Sequence, residues 1–213
     1  MMSDVMKALV YNGELCLCDR PRPKKGDGEV VIRVAQAGIC NTDVEITKGY
    51  VPGFSGILGH EFFGVVEEAD DPGLIGRRVT AEINCACGMC DWCRKGLERH
   101  CPNRSVLGIV NRDGAFAEYV VVPDSSVVPI PNEISDDQAI FIEPLAAALE
   151  ILEQISITPD QSVLLIGDGK LAQLIARVMA TTGCALMVAG KHQEKLELLK
   201  SAGIRTCLTE TID

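Results

Sequence analysis

Cys87, Cys90, Cys93 and Cys101 follow one another as C-x2-C-x2-C-x7-C. That spacing lets four thiolates converge tetrahedrally on one zinc ion, each about 2.3 Å away. Gly88 frees the turn just after the first ligand. Four thiolates around Zn2+ leave a charge of about −2, and Arg94, Lys95, Arg99 and Arg104 are close in sequence to offset it. A closed all-sulfur set has no open coordination position, so its chemistry is structural. Disulfides and an iron site are the competing uses of these thiols. Iron usually takes two separated C-x2-C pairs, which this chain lacks.

Two further groups of residues could do chemistry. Cys40-Asn41-Thr42-Asp43 and Gly59-His60-Glu61 supply a cysteine and a histidine on separate turns. They could form a second, mixed metal site, although a lone cysteine and a lone histidine are more often core residues. Gly167-Asp168-Gly169-Lys170-Leu171-Ala172 matches G-x-G-x-x-A. Gly167 permits a tight turn, Gly169 lets a pyrophosphate approach the backbone, and Ala172 lets helix and strand pack closely. Free amides at the following helix N-terminus would hold the phosphates, and Lys170 would offset Asp168 beside them. A NAD-preferring site carries an acid about twenty residues on. Gly190-Lys191-His192 stands there instead. With no carboxylate to repel a 2′-phosphate and Lys191 to attract one, NADP is expected over NAD. Gly190→Asp should then reverse the preference.

These residues need elements to position them. Up to about residue 132, short β-rich segments alternate with Gly, Pro and Asp turns, among them Val30–Ala35, Phe63–Glu67 and Glu118–Val122. They suit a small irregular barrel. From Ser135 the apolar residues Ala139, Ile142, Ala146 and Leu149 recur at helical steps. Ser162–Gly167 then reads as a buried strand, with helices near Leu171–Thr181 and Glu194–Ala202 and further strands at Leu186–Ala189 and Arg205–Leu208. Strand alternating with helix predicts a doubly wound parallel sheet. The expected organisation is therefore a β domain over 1–145, with a zinc lobe at about 85–104, and an α/β domain over 146–213.

Composition narrows the function. The 213 residues are 47% hydrophobic, enough for one large or two modest domains. A net charge of −10 argues against a nucleic-acid partner. No stretch is apolar enough to span a membrane, and Met1–Lys7 lacks the features of a secretory signal. Ten cysteines without a leader point to the reducing cytoplasm. Homo-oligomerisation is left open.

Taken in order, Cys-x-Thr-Asp, Gly-His-Glu, the four-cysteine lobe, Ala115-Phe116-Ala117-Glu118-Tyr119, Glu143-Pro144 and G-x-G-x-x-A resemble the zinc-containing medium-chain alcohol and polyol dehydrogenases. The resemblance implies a GroES-like catalytic domain followed by a Rossmann cofactor domain. By position, Cys40 and His60 match catalytic zinc ligands, and Glu61 matches a carboxylate able to enter the zinc shell. Glu143 stands where alcohol dehydrogenases carry a third cysteine and polyol or threonine dehydrogenase-like members carry glutamate. Thr42 matches the hydroxyl that accepts the substrate proton, and Asp43 the carboxylate that orients the zinc-bound histidine. Two zinc ions per chain are thus expected, with an alcohol or polyol as substrate and hydride passing to a nicotinamide. The family's chains run longer. Only three strands of the 3-2-1-4-5-6 order are expected here, without the half that completes the nicotinamide site. The alternative reading is a truncated or degenerate, non-catalytic zinc-binding homologue.

Overall fold

A three-residue turn containing Asn12-Gly13, with Gly13 at φ +99°, folds β1 (Val5–Tyr11) back onto β2 (Leu15–Pro21). Reading for strands passes over this hairpin, because β2 is mostly exposed and lacks a clear alternation. The computed structural model describes residues 4–211, so most of the stretch read for a leader is covered but its first three residues lie outside. Two compact units result, Met1–Glu143 and Pro144–Asp213.

In the first unit the chain continues through β3 (Glu29–Gly38), α1 (Asn41–Thr47), β4 (Gly56–Ile57), β5 (Glu61–Glu68) and β6 (Arg78–Ala81). The short β7 (Asn84–Cys85), α2 (Asp91–Arg94) and β8 (Ser105–Val106) build a lobe. Then come β9 (Tyr119–Pro123), β10 (Val127–Pro129) and α3 (Asp136–Ala139). Among the described residues β2-β1-β4 form one sheet and β10-β6-β5-β3-β9 another. Val30 and Ile32 of β3, Phe62 and Val66 of β5, Val79 of β6 and Val120 and Val122 of β9 are buried together as the core. Among the described residues these strands form the expected β unit, but its sheets do not close into a barrel. The segment around Ala117 joins the sheets by an isolated bridge to Ala8, with Phe116 accepting from Leu9 N–H and Glu118 accepting from Val34 N–H. The amides of Gly114, Ala115 and Phe116 donate instead to the carbonyls of Ile57, Gly59 and Leu58.

The helical pattern from Ser135 is broken into α3 and α4 (Ile142–Gln154). Pro144 explains the break. It lacks an N–H and is tolerated only in a helix's first turn, where the restart at Ile142 puts it. The second unit holds β11 (Ser162–Ile166), α5 (Lys170–Ala180), β12 (Ala185–Gly190), α6 (Gln193–Lys200) and β13 (Arg205–Leu208). The three strands are parallel in the order β11-β12-β13. Val163 and Leu165 pack with Ala176, Leu186, Val188, Leu196 and Leu199. The alternate β11 residues Leu164 and Ile166 are 51% and 72% exposed. This is a partial Rossmann sheet with β11 at its edge. Among the described residues no helix is long and apolar enough to cross a membrane.

Candidate metal and cofactor sites

Strand pairing brings the mixed cluster together. β3 and β5 are antiparallel and Gly38 pairs with Glu61 at their open end. Cys40, two residues beyond Gly38, therefore meets His60, one residue before Glu61. The ligand atoms of Cys40, His60 and Glu61 all lie within 4.8 Å of one another. Asp43 locks both turns. Its carboxylate accepts the Cys40 amide at 2.9 Å and the Gly59 amide at 3.1 Å, and the residue is only 3% exposed. Gly59 sits at φ +96°, where a Cβ would strike the Phe116 ring at 2.5 Å. Leu58 and Gly59 carbonyls accept the amides of Phe116 and Ala115. The His60 backbone is thereby held from both sides, a role for Gly59 that the sequence does not announce.

The cluster has the electrostatics of a cation site. His60 Nδ1 lies 3.5 Å from Asp43 Oδ1, too far for a hydrogen bond, and has no other partner among the described residues. Burial disfavours a charged ring, yet the nearby Asp43 and Cys40 outweigh it and raise the His60 pKa to about 10. A buried imidazole short of a partner, beside a thiol and a carboxylate, is the donor set zinc takes. Glu143, on the first turn of α4, is outside the 4.8 Å group but feels the charges of His60 and Glu61. Burial pushes its carboxyl pKa up, while His60 opposes that shift. Thr42 Oγ1 lies 3.6 Å from Cys40 Sγ.

In the lobe, Cys90 Sγ is 3.5 Å from Cys93 Sγ and 3.8 Å from Cys101 Sγ, and Cys87 Sγ is 4.0 Å from Cys93 Sγ. Ligands at about 2.3 Å on a tetrahedron stand about 3.8 Å apart, so these separations fit one zinc ion. None of the four is in a disulfide. Cys85 is outside the set, its thiol turned to the Ile83 carbonyl. The expected charge offset is less direct than spacing suggests. Arg94 pairs with Asp91 at 2.6 Å and with the Met89 carbonyl, and Arg104 donates to the Cys101 carbonyl at 3.5 Å. Both guanidiniums tie down the loop's backbone, and their charges stay beside the sulfurs. The His100 ring lies 5.7 Å from that of Trp92, tilted by 52°, on the lobe surface.

In the second unit, Gly167 at φ +133° turns the chain out of β11, its amide held by the Ala189 carbonyl at 2.8 Å. A Cβ at Gly167 would lie 3.8 Å from that of Ala172. Gly169 precedes α5 with open space over it, so a phosphate can reach the helix N-terminus. Lys170 opens that helix, and Lys191 follows β12. Asp168 departs from the expectation. It is 7% exposed and accepts the amides of Lys191 at 2.6 Å and His192 at 2.7 Å, with His192 Nδ1 at 3.0 Å. A carboxylate therefore does stand at the end of β12, supplied from the glycine turn. A Cβ at Gly190 would sit 2.6 Å from Asp168 Cβ, so Gly190→Asp is blocked in this chain. The backbone amide of His192 is the main cause, with its ring next, holding the Asp168 pKa down at about 2. A depressed carboxylate stabilises the fold above its ordinary pKa near 3.8 and loses that contribution as pH falls through 2. Acid unfolding should therefore shift upward in pH in Asp168→Asn, which lacks this term at neutral pH; a circular-dichroism pH titration reads it.

These features define a class: a GroES-like β unit with two metal-ligand clusters, followed by the start of a Rossmann sheet. Comparison with known proteins agrees. The alcohol dehydrogenase GroES-like domain matches residues 26–132. L-threonine 3-dehydrogenase of Rhizobium etli (strain CIAT 652) is 34% identical over 95% of this chain and 62% of its own length. The solved structure of the alcohol dehydrogenase RspB from Escherichia coli CFT073, complexed with NADH, is 31% identical over 98% of this chain and 64% of that one, with a TM-score of 0.89. A putative zinc-binding dehydrogenase from Sinorhizobium meliloti 1021, bound to NADP, has a TM-score of 0.90 at 29% identity over 99% of this chain and 64% of that one. The chain belongs to the zinc-containing medium-chain alcohol and polyol dehydrogenase family. It spans about 62% of the length of the curated relative.

Proposed function

We propose that this chain supplies the zinc-binding catalytic unit and the adenosine-binding part of a cytoplasmic NAD(P)-dependent alcohol or polyol dehydrogenase. The observation that carries this reading is the meeting of Cys40, His60 and Glu61 over the buried Asp43. A zinc ion held by Cys40 and His60 with Glu61 or Glu143 supplies Lewis acidity toward an alcohol oxygen, and a nicotinamide supplies the hydride acceptor. Thr42, beside Cys40, takes the substrate's proton. Asp43 fixes the ligand geometry through the Cys40 and Gly59 amides. A second, structural zinc is held by Cys87, Cys90, Cys93 and Cys101. Glu143 in place of a third cysteine favours the polyol and threonine branch. The pyrophosphate rests on Gly167, Gly169, Lys170 and Ala172. NADP is preferred over NAD because Asp168 is already engaged by backbone and ring donors, while Lys191 adds positive charge beside Gly190.

Elemental analysis should find two zinc ions per chain, and one in Cys40→Ser with the fold retained. A single zinc in the wild type would defeat the two-site reading. Asp43→Asn replaces one acceptor oxygen by an amide donor facing a backbone N–H. It should weaken zinc retention at Cys40 and His60 by about 10–100-fold in chelator competition, with the four-cysteine ion unaffected. Unchanged retention would leave Asp43 a turn residue only.

A further inference from the structure

Asp168 and Gly190 are reciprocal. The acid is in the glycine turn between Gly167 and Gly169, and the glycine is at the end of β12. The Asp168 side chain is 9% exposed. Its Oδ2 accepts both the Lys191 and the His192 amide, and both carboxylate oxygens lie 3.0–3.1 Å from His192 Nδ1. Any side chain at 190 would begin 2.6 Å from Asp168 Cβ and 2.6 Å from its Oδ2. Asp168 thus fills the room from which an acid at the end of the second strand reaches the ribose hydroxyls. It also ties the glycine turn to the segment that starts α6. With Oδ2 taken by two backbone amides and Oδ1 beside the His192 ring, one acceptor position of the carboxylate, on Oδ1, is left for a ribose hydroxyl.

We propose that Asp168 is a positioning residue that sets the choice between the 2′-hydroxyl and the 2′-phosphate of the cofactor, by occupying the ribose acid's place and presenting Lys191 and His192 to the ligand. This rests on the dinucleotide reading above. The consequence is a two-residue switch. Neither position can be changed alone to give a NAD site, because Gly190→Asp collides with the Asp168 Cβ, and even Asp168→Ala keeps that Cβ. Only glycine at 168 opens the space. Asp168→Asn is the milder probe: it retains an oxygen for the two amides and removes the charge.

The test uses the full 213-residue chain with NADPH and NADH as separate titrants, and thermal melting without cofactor. Four variants are compared with the wild type: Gly190→Asp, Asp168→Gly, the double Asp168→Gly/Gly190→Asp, and Asp168→Asn. Gly190→Asp should lower the melting temperature and weaken both dinucleotides about 10-fold or more, as overpacking does. The double variant should recover melting and binding beyond the sum of the singles and move the affinity ratio toward NADH by about 10-fold or more. Asp168→Asn should lower the melting temperature less than Asp168→Gly, since it keeps an acceptor oxygen for the two amides, and should move the ratio toward NADPH, a shift that a merely structural role would not produce. An affinity ratio unmoved in all variants, or a double variant no better than the sum of the singles, would overturn the proposal while leaving cofactor binding intact. A wild type that binds neither dinucleotide would end the cofactor reading and this inference with it, and the melting data would still show whether the clasp exists.

Discussion

Replacing Cys90 by serine is expected to release one zinc ion per chain and unfold the lobe at about 85–104, with aggregation on warming. The lobe has almost no core to fall back on. β7 and β8 are two residues each and α2 is four. Met89 and Trp92 are 73% and 47% exposed. What is buried is mainly sulfur: Cys85, Cys93 and Cys101. A structural zinc site of this type contributes about 10–16 kcal/mol of apparent binding free energy, as much as a whole domain's stability. Serine removes one of four thiolates, and Cys90 is the sulfur lying closest to both Cys93 and Cys101. Elemental analysis with hydrogen exchange over the lobe would read both losses. Full zinc content and undiminished protection in the variant would rule out a structural ion here. Burial, and then the neighbouring thiols, hold the Cys93 pKa up at about 12, so this thiol gives up its proton at neutral pH only to a cation that replaces it.

The 213-residue chain is expected to self-associate at tens of micromolar, and Leu164→Lys with Ile166→Lys should return it to a monomer. β11 pairs with β12 on one side and with no strand on the other among the described residues. Such an edge offers unpaired amides and carbonyls to any second strand. Leu164 and Ile166 add apolar surface, each worth about 1.5–3 kcal/mol if fully covered. Two copies meeting at this edge would continue the sheet and set these side chains next to one another on its open face. Two lysines put like charges in that contact without touching Val163 and Leu165, which pack inward. Sedimentation velocity distinguishes the outcomes. A monodisperse wild-type monomer at that concentration would contradict the expectation. Turnover of alcohols and polyols by the 213-residue chain should be slow. Appending the corresponding C-terminal region of a longer relative should raise solubility and turnover together. Strong dehydrogenase activity from the 213 residues by themselves would count against this.

The sequence alone was sufficient wherever the information is local. C-x2-C-x2-C-x7-C specifies a metal lobe because short turns hold cysteines within reach of one ion, whatever the rest of the chain does. The strand, glycine turn and helix at Ser162–Ala180 were legible for the same reason: an apolar run, a turn needing glycine and a helical repeat are adjacent in sequence. The order of motifs also identified the family. Tertiary structure decided the rest, since it depends on residues far apart in the chain. Cys40 and His60 meet only because β3 and β5 pair with Gly38 opposite Glu61, a register that no local pattern states. The role of Gly59 follows from a segment more than fifty residues later packing against it. The clearest case is the acid that looked absent at Gly190. It was present at Asp168 all along, 22 residues earlier, and only the parallel pairing of β11 with β12 sets the two side by side.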